Sequence, residues 1–163
     1  MIKKEEGLTP QKTPFQEALK LVKVPIIMAL MLTPIRFTLE LIGLPESFIF
    51  IIGLLWLTIG VSIYWAIKYS TKKRFLIVLL LGLIIYSPIS RCPVALAWWI
   101  DTNWQLGTHY GLFFDNFGQV LFNQVVYGSL IQIIPGFVVG AITSTIMRHK
   151  LTLKLKNNTV DNG

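Results

Sequence analysis

Long apolar stretches alternate with short basic clusters along the chain, and this pattern predicts a membrane protein. Four stretches are candidate spans, at about residues 24–44, 47–67, 75–90 and 118–147. A helix needs about 20 predominantly apolar residues to cross the hydrocarbon core. After Pro14, the sequence FQEALKLVK has the apolar and basic faces of an amphipathic helix at the headgroups. We therefore expect an all-α fold, a compact bundle of about four transmembrane helices with an N-terminal amphipathic helix.

The limits of two spans are ambiguous in the sequence. Pro25 would bend the first span, and Arg36 interrupts its apolar core. In the third span the apolar pattern breaks near Ser87 and resumes as VALAWWI. The helix either ends near Ser87 or kinks and continues with Arg91 inside it. The shorter form, which we adopt, places an external loop at 91–117.

The basic clusters predict the topology. One cluster precedes the first span, a second lies at 68–74, and the last lies in the C-terminal tail, 148–163. Lys and Arg close to spans resist translocation, so these clusters mark the cytoplasmic side. We therefore expect four crossings and two cytoplasmic termini, with a flexible segment at 1–13 and one helical domain at 14–147. The expected location is a bacterial cytoplasmic membrane.

The composition restricts the expected partners. The chain is 53% hydrophobic, more than a soluble domain of 163 residues could bury. Topology and contact with anionic headgroups explain the net charge of +7, so nucleic acid is not an expected partner. The expected partners are the lipid bilayer and either a second copy of the chain or another membrane protein. One cysteine, Cys92, excludes an intrachain disulfide and a multi-cysteine metal site, and the sequence contains no cofactor motif.

Charged residues inside the spans are the first candidates for function. Arg36 and Glu40 are four residues apart, so they share a helical face and can pair. Such a pair at membrane depth is consistent with a ligand or proton site, or with a structural ion pair. If they pair, losing one charge should reduce stability more than losing both. Arg91 could bind an anion near the external mouth, extend towards the headgroups or pair with Asp101.

The external loop contains the second set of candidates. They are polar and aromatic residues of types that bind sugars, peptides or metals, namely Asp101, His109, Tyr110 and Asp115. His109 could act as a general base near neutral pH, but the sequence offers no paired nucleophile. The spacing also matches no metal-ligand pattern, so we assign neither a metal site nor a catalytic residue. An aromatic girdle at the membrane interface is the simpler interpretation.

The fourth span carries a small or polar residue at every fourth position. These residues are Gln124, Gly128, Gln132, Gly136, Gly140 and Ser144. Residues four apart share one helical face, and small side chains let two helices approach closely. The stripe predicts packing, either within the bundle or between two copies. The alternative is a polar path lined by Asn123, Gln124, Tyr127 and Gln132.

Three classes of function remain open at this point. The first is a non-enzymatic membrane protein that binds or assembles with another membrane component, which the small size and the lack of catalytic motifs favour. The second is a small oligomeric transporter or channel that uses Arg36, Glu40 and the polar face of the fourth helix. The third is a membrane enzyme with an external site around Asp101, His109 and Asp115.

Overall fold

The computed structural model of the chain describes residues 13–160, apart from the side chains at positions 46, 50 and 155–160. Within this part the α-helices are α1 (Pro14–Leu41), α2 (Glu46–Ile51), α3 (Leu54–Tyr69), α4 (Phe75–Trp104), α5 (Phe117–Phe122) and α6 (Ser129–Val160). A π-helical segment, Asn123–Gly128, joins α5 to α6, and a short 3-10 turn, His109–Gly111, follows α4.

The described residues are helical and form no strand, which confirms the all-α prediction. Four helical stretches are long and apolar enough to span a membrane. Of the segment expected to be flexible, 1–13, only Thr13 is among the described residues. The tail was predicted at 148–163, and its last three residues, 161–163, also lie outside the described part.

The first helix, α1, is continuous over 28 residues. Thr13 and Gln16 form a capping box that satisfies N–H groups at its start. The sequence predicted a separate amphipathic helix before a span that begins at residue 24, but α1 has no boundary there. Helix α1 packs against α4, and its buried residues lie on one face. This face comprises Ala18, Val22, Pro25, Ala29 and Thr33.

The second span is broken near its start. The sequence predicted one helix over 47–67, but Ile52 and Gly53 leave the helical conformation, with ψ angles of 61° and 151°. Composition could not reveal this break, because the residues on both sides of it are apolar. Non-helical backbone at membrane depth is tolerated where it is buried in protein or lines a cavity. Both residues line the cavity described below.

Helix α4 continues past residue 90, the expected end of the third span. It extends over 30 residues to Trp104, and Arg91 lies inside it. The segment 91–104, expected to begin an external loop, is therefore helical, and the loop after α4 covers residues 105–116.

Pro88 and Pro93 lie inside α4 without ending it. Each proline leaves the carbonyl four residues before it without its helical donor, at Ile84 and Ile89. Helices α1 and α6 pack against α4. Packing by neighbouring helices is one of the features that permit proline inside membrane helices.

The last long helix, α6, packs against α3 and α4. Gly136 lies against Thr58 and Ser62 of α3, and a Cβ at Gly140 would come within 2.7 Å of Leu79 Cδ2. Close packing at these glycines explains why this face carries small residues. The helix continues to Val160, past the predicted limit of the fourth span at 147.

The bundle has two chemically different ends. At one, Lys72 Nζ donates to Glu17 Oε2 at 3.3 Å, and Arg148 Nε donates to the Ser70 carbonyl at 2.7 Å. We call it the basic end, because residues 68–74 and Arg148 lie there. The opposite end, which contains residues 105–116, is the loop end.

Candidate functional site

Glu40 lies at the loop end and has two basic neighbours. Its Oε2 is 2.5 Å from His109 Nδ1, and its Oε1 is 3.7 Å from Arg36 Nε. The second contact is an ion pair that is too long to be a hydrogen bond. The first contact is a short hydrogen bond between a carboxyl oxygen and a ring nitrogen. Only 7% of the Glu40 side chain is exposed, so both contacts are shielded from water.

The end of α1 places Glu40 for these contacts. Gly43 has a φ of 81°, which favours glycine, and its N–H donates to the Glu40 carbonyl at 2.9 Å. The Leu44 N–H donates to the Leu39 carbonyl, which completes the left-handed turn that commonly ends a helix.

Asp101 holds the loop that carries His109. Its Oδ1 accepts from the Thr108 N–H at 3.0 Å, and its Oδ2 accepts from the Gly111 N–H at 2.8 Å. Asp101 is 3% exposed, so these bonds satisfy a buried carboxylate. Pairing with Arg91 was one alternative from the sequence, but Asp101 forms no ion pair with Arg91 in the described structure. Asp101 is a positioning residue for the loop.

Tyr110 packs beside His109 over the end of α1. Its ring centroid is 4.1 Å from that of His109 and 5.7 Å from that of Phe37. Burial raises the pKa of Tyr110 to about 12, because a phenolate would be poorly solvated there, although Arg36 and Arg91 act against the increase. Tyr110 is therefore a neutral hydroxyl group at physiological pH.

Arg91 has no carboxylate partner among the described residues. Its Nη1 donates to Gln124 Oε1 at 3.2 Å, and its Nε has no hydrogen-bond partner in this part of the chain. A Cβ at Gly128 would lie 3.2 Å from Arg91 Nε, so glycine leaves room for the guanidinium. Gln124 and Gly128 both belong to the π-helical segment, and such segments are frequent at functional sites.

A cavity of about 350 Å³ brings Arg36 and Arg91 together. This volume is at the lower end of the range for small-molecule sites. Its lining includes His109, Tyr110 and Gln124, together with apolar side chains of α1, α3 and α4. Trp56, Phe113 and Ile131 also line it, and each is more than half exposed, so the cavity has an apolar border.

The polar groups around this cavity are mainly hydrogen-bond donors. Trp98 and Thr33 line it and are 5% and 3% exposed, and neither Trp98 Nε1 nor Thr33 Oγ1 has a partner within the described chain. Helix α3 also begins here, and Gly53 offers no side chain to cap its first N–H groups. A helix N-terminus carries partial positive charge. The described residues that line the cavity include two arginines and no Asp or Glu.

Several candidates from the sequence lie away from this cavity. Asp115 is exposed. Asn123 donates to the Gln119 carbonyl, and Tyr127 is 57% exposed. Gln132 is fully buried and accepts from Ser90 at 3.1 Å. Of the four residues expected to line a polar path along the fourth span, Gln124 lines this cavity and the other three do not.

The remaining stripe residues are buried in packing, and no metal-ligand cluster forms in the described part of the chain. Gly128, Gly136, Gly140 and Ser144 are all buried. No group of three or more His, Cys, Asp or Glu residues that could hold a metal occurs within residues 13–160.

Sequence reasoning did not place Thr33 and Trp98 beside the two arginines. Thr33 lies three residues before Arg36, and Trp98 lies seven after Arg91, so each shares a helical face with its arginine. In α1 this spacing could have linked Thr33 to Arg36 from the sequence alone. In α4 the same inference for Trp98 depends on knowing that the helix continues past Arg91.

No protein-family model matches the chain, and no curated protein or solved structure is detectably similar to it. Conclusions about its function therefore rest on the geometry and chemistry of its own residues.

Proposed function

We propose that this chain is an integral membrane protein that binds the anionic group of another membrane component at the loop end, through Arg36 and Arg91. The observation that carries the proposal is the Arg91 guanidinium, partly buried beside a cavity whose described lining has no carboxylate. An unpaired charge at such a depth is unfavourable without a partner. A bound anion would supply that partner.

The other donors support the same ligand chemistry. Guanidinium groups, an indole N–H and helix N-terminal N–H groups all donate to phosphate or carboxylate oxygens. Glu40 forms an ion pair with Arg36 at 3.7 Å, and Gln124 accepts a hydrogen bond from Arg91 at 3.2 Å. Both cations already line the cavity, which reduces the reorganisation that binding would cost.

The depth of the site favours an amphiphilic ligand. Arg36 follows Lys20, and Arg91 follows Phe75, by a helical rise of ~24 Å in each case. With the basic end cytoplasmic, both arginines lie in the outer half of a hydrocarbon core of ~30 Å. An anionic headgroup in the cavity would leave its apolar part against Trp56, Phe113 and Ile131. We place the protein in a bacterial cytoplasmic membrane with both termini inside.

Binding of short-chain lipids to purified protein tests this proposal. Dihexanoyl phosphatidic acid, dihexanoyl phosphatidylcholine and inorganic phosphate would be titrated in mild detergent by calorimetry. We expect phosphatidic acid to bind and Arg91→Gln to weaken it ~10- to 100-fold, as loss of a charged hydrogen bond implies. Lys73→Gln removes the same charge from an exposed loop at the basic end and should leave affinity unchanged.

The three ligands separate the possible sources of the anion. Binding of phosphatidic acid without phosphate identifies a membrane component, whereas equal binding of phosphate identifies a soluble anion. Equal affinity of the Arg91→Gln and wild-type proteins for every ligand would disprove the proposal.

Transport is the second candidate, favoured by the break at Ile52 and Gly53. Broken helices that point a half-helix N-terminus at an anionic group are typical of secondary transporters. The test is flux of a labelled anionic lipid across proteoliposomes, compared between the wild type and Arg91→Gln. Binding without flux would assign the protein to the first class alone.

A further inference from the structure

A second concave surface lies towards the basic end, between α1 and α3. These helices touch each other far less than α1 touches α4, and a groove of about 640 Å³ separates them. We call it the α1–α3 groove. Its apolar wall comprises Leu21, Val24, Pro25 and Met28 of α1 and Leu57, Val61 and Trp65 of α3.

Two lysines stand at one end of this groove. Lys20 and Lys68 line it together with Tyr64 and Tyr69. Lys68 Nζ donates to Tyr64 Oη at 3.0 Å and lies 5.4 Å from the centre of that ring. The aromatic rings thus hold a cation at the level where a membrane helix meets the headgroups.

The dimensions of the groove match one leaflet. From Lys68 to Leu57 the rise along α3 is ~16 Å, close to half of a hydrocarbon core of ~30 Å. The apolar wall begins directly beyond the lysines and ends near the middle of the membrane. An acyl chain has this length and polarity, and its phosphate would lie beside the lysines.

The charges at the basic end favour a lipid over a second copy of the chain. Glu17 is the carboxylate that the described structure places there, and it is paired with Lys72 at 3.3 Å. A second copy therefore brings no unpaired described carboxylate to the lysines. Anionic headgroups of the surrounding leaflet attract juxtamembrane lysines by about 1 kcal/mol for each residue.

We propose that the α1–α3 groove binds one anionic phospholipid from the leaflet at the basic end, with an acyl chain in the groove and its phosphate between Lys20 and Lys68. This site shares Trp56 with the cavity at the loop end and is otherwise lined by different residues. It would attach α1 to α3 where the protein provides few contacts between them.

Gly60 offers a direct test because it lines the groove and an added Cβ there meets no atom within 4 Å. Gly60→Leu should fill the groove without disturbing the packing of the bundle. Native mass spectrometry would count phosphatidylglycerol and phosphatidylcholine molecules bound to the full chain. In the Arg91→Gln protein, whose loop-end cavity should no longer hold an anionic lipid tightly, we expect one tightly bound phosphatidylglycerol, and at least a tenfold weaker interaction when Gly60→Leu is added.

Three further variants make the result specific. Lys68→Gln should remove the preference for phosphatidylglycerol over phosphatidylcholine while an acyl chain still binds. Val138→Leu adds a methylene group to an exposed position of α6 and should bind lipid as the wild type does. Arg91→Gln should also retain this lipid, which separates the groove from the cavity at the loop end.

Four outcomes would overturn the proposal. The first is that Gly60→Leu retains phosphatidylglycerol as well as the wild type does, and the second is that the wild type binds both lipids equally. The third is that Val138→Leu loses as much lipid as Gly60→Leu. The fourth is that a second copy of the chain or another protein, and not a lipid, is found in the groove. Circular dichroism and the melting temperature of each variant would establish that it is folded.

Discussion

Arg91 is the residue whose environment is hardest to explain by stability alone. Its guanidinium is held by one neutral amide, Gln124, and lies against Gly128 of the π-helical segment. A structural arginine at this depth would be expected to have a carboxylate partner, as Arg36 has Glu40. The lack of one among the described residues is the basis of the proposal that Arg91 binds an anionic ligand.

Replacing Arg91 should therefore not destabilise the ligand-free protein. Arg91→Met keeps a long apolar stem and removes a poorly solvated charge, so we expect an unchanged or higher melting temperature in detergent without added anion. Removing one member of a true buried ion pair would instead reduce stability by about 3–5 kcal/mol. A clear drop in the melting temperature of Arg91→Met would show that the arginine has a structural role.

Glu40 makes its closer contact with His109, and this changes the expectation from the sequence that Arg36 is its partner. After Arg36→Leu, Glu40 still has His109 at 2.5 Å. We therefore expect double-mutant cycles in thermal unfolding to give a coupling of about 1–3 kcal/mol for Glu40 with His109 and less for Glu40 with Arg36. The variants would be Glu40→Leu, His109→Ala and Arg36→Leu. A larger coupling for the Arg36 pair would contradict the structure.

Asp101 binds the backbone of the loop after α4 at two points, the N–H groups of Thr108 and Gly111. A Cβ at Gly111 would come within 2.5 Å of Asp101 Oδ2, so Gly111→Ala should displace the loop and weaken the bonds from Asp101. We expect faster amide hydrogen exchange over residues 105–111 in this variant. Gly118→Ala is the matched control, because its Cβ would meet only an ordinary contact at 3.5 Å. Unchanged exchange in Gly111→Ala would mean that Asp101 does not hold the loop.

The buried face of α6 should tolerate little added volume. Gly136 and Gly140 each face atoms within about 3 Å of an added Cβ, so Gly136→Leu and Gly140→Leu should each lower the melting temperature by several degrees, as overpacking by about 1–3 kcal/mol implies. Val138 is 48% exposed, and Val138→Leu should melt like the wild type. Equal melting of all three variants would show that this face is not closely packed.

At the level of elements, the sequence predicted that helices exist better than it predicted where they end. Apolar runs identified the four helical stretches that are long and apolar enough to span a membrane. The break at Ile52 and the continuation of α4 past Arg91 depend on tertiary contacts, which no local pattern records. Proline signals were ambiguous for the same reason, since neighbouring helices decide whether a proline ends a membrane helix.

At the level of the whole molecule, the sequence identified both arginines but not their convergence. Arg36 and Arg91 lie on different helices, and only the packing of α1 on α4 brings them to one cavity. Trp56 lines both this cavity and the α1–α3 groove, so the two sites meet at one side chain. Such a relation between helices could not be derived from periodicity within each helix.

The orientation of the molecule in the membrane is the last prediction and the one on which the depth of the candidate site depends. Basic residues resist translocation, so residues 68–74 should be cytoplasmic and the loop 105–116 external. In a protein lacking Cys92, a cysteine at Asp115 should react with an impermeant maleimide in intact cells, whereas one at Thr71 should react only after lysis. Both positions are exposed, so a difference in labelling reports the side of the membrane and not burial. Labelling of Thr71→Cys alone in intact cells would show that the protein has the opposite orientation, with Arg36 and Arg91 in the inner leaflet. Labelling of both cysteines in intact cells would be incompatible with an odd number of crossings between them, and therefore with α4 as a span.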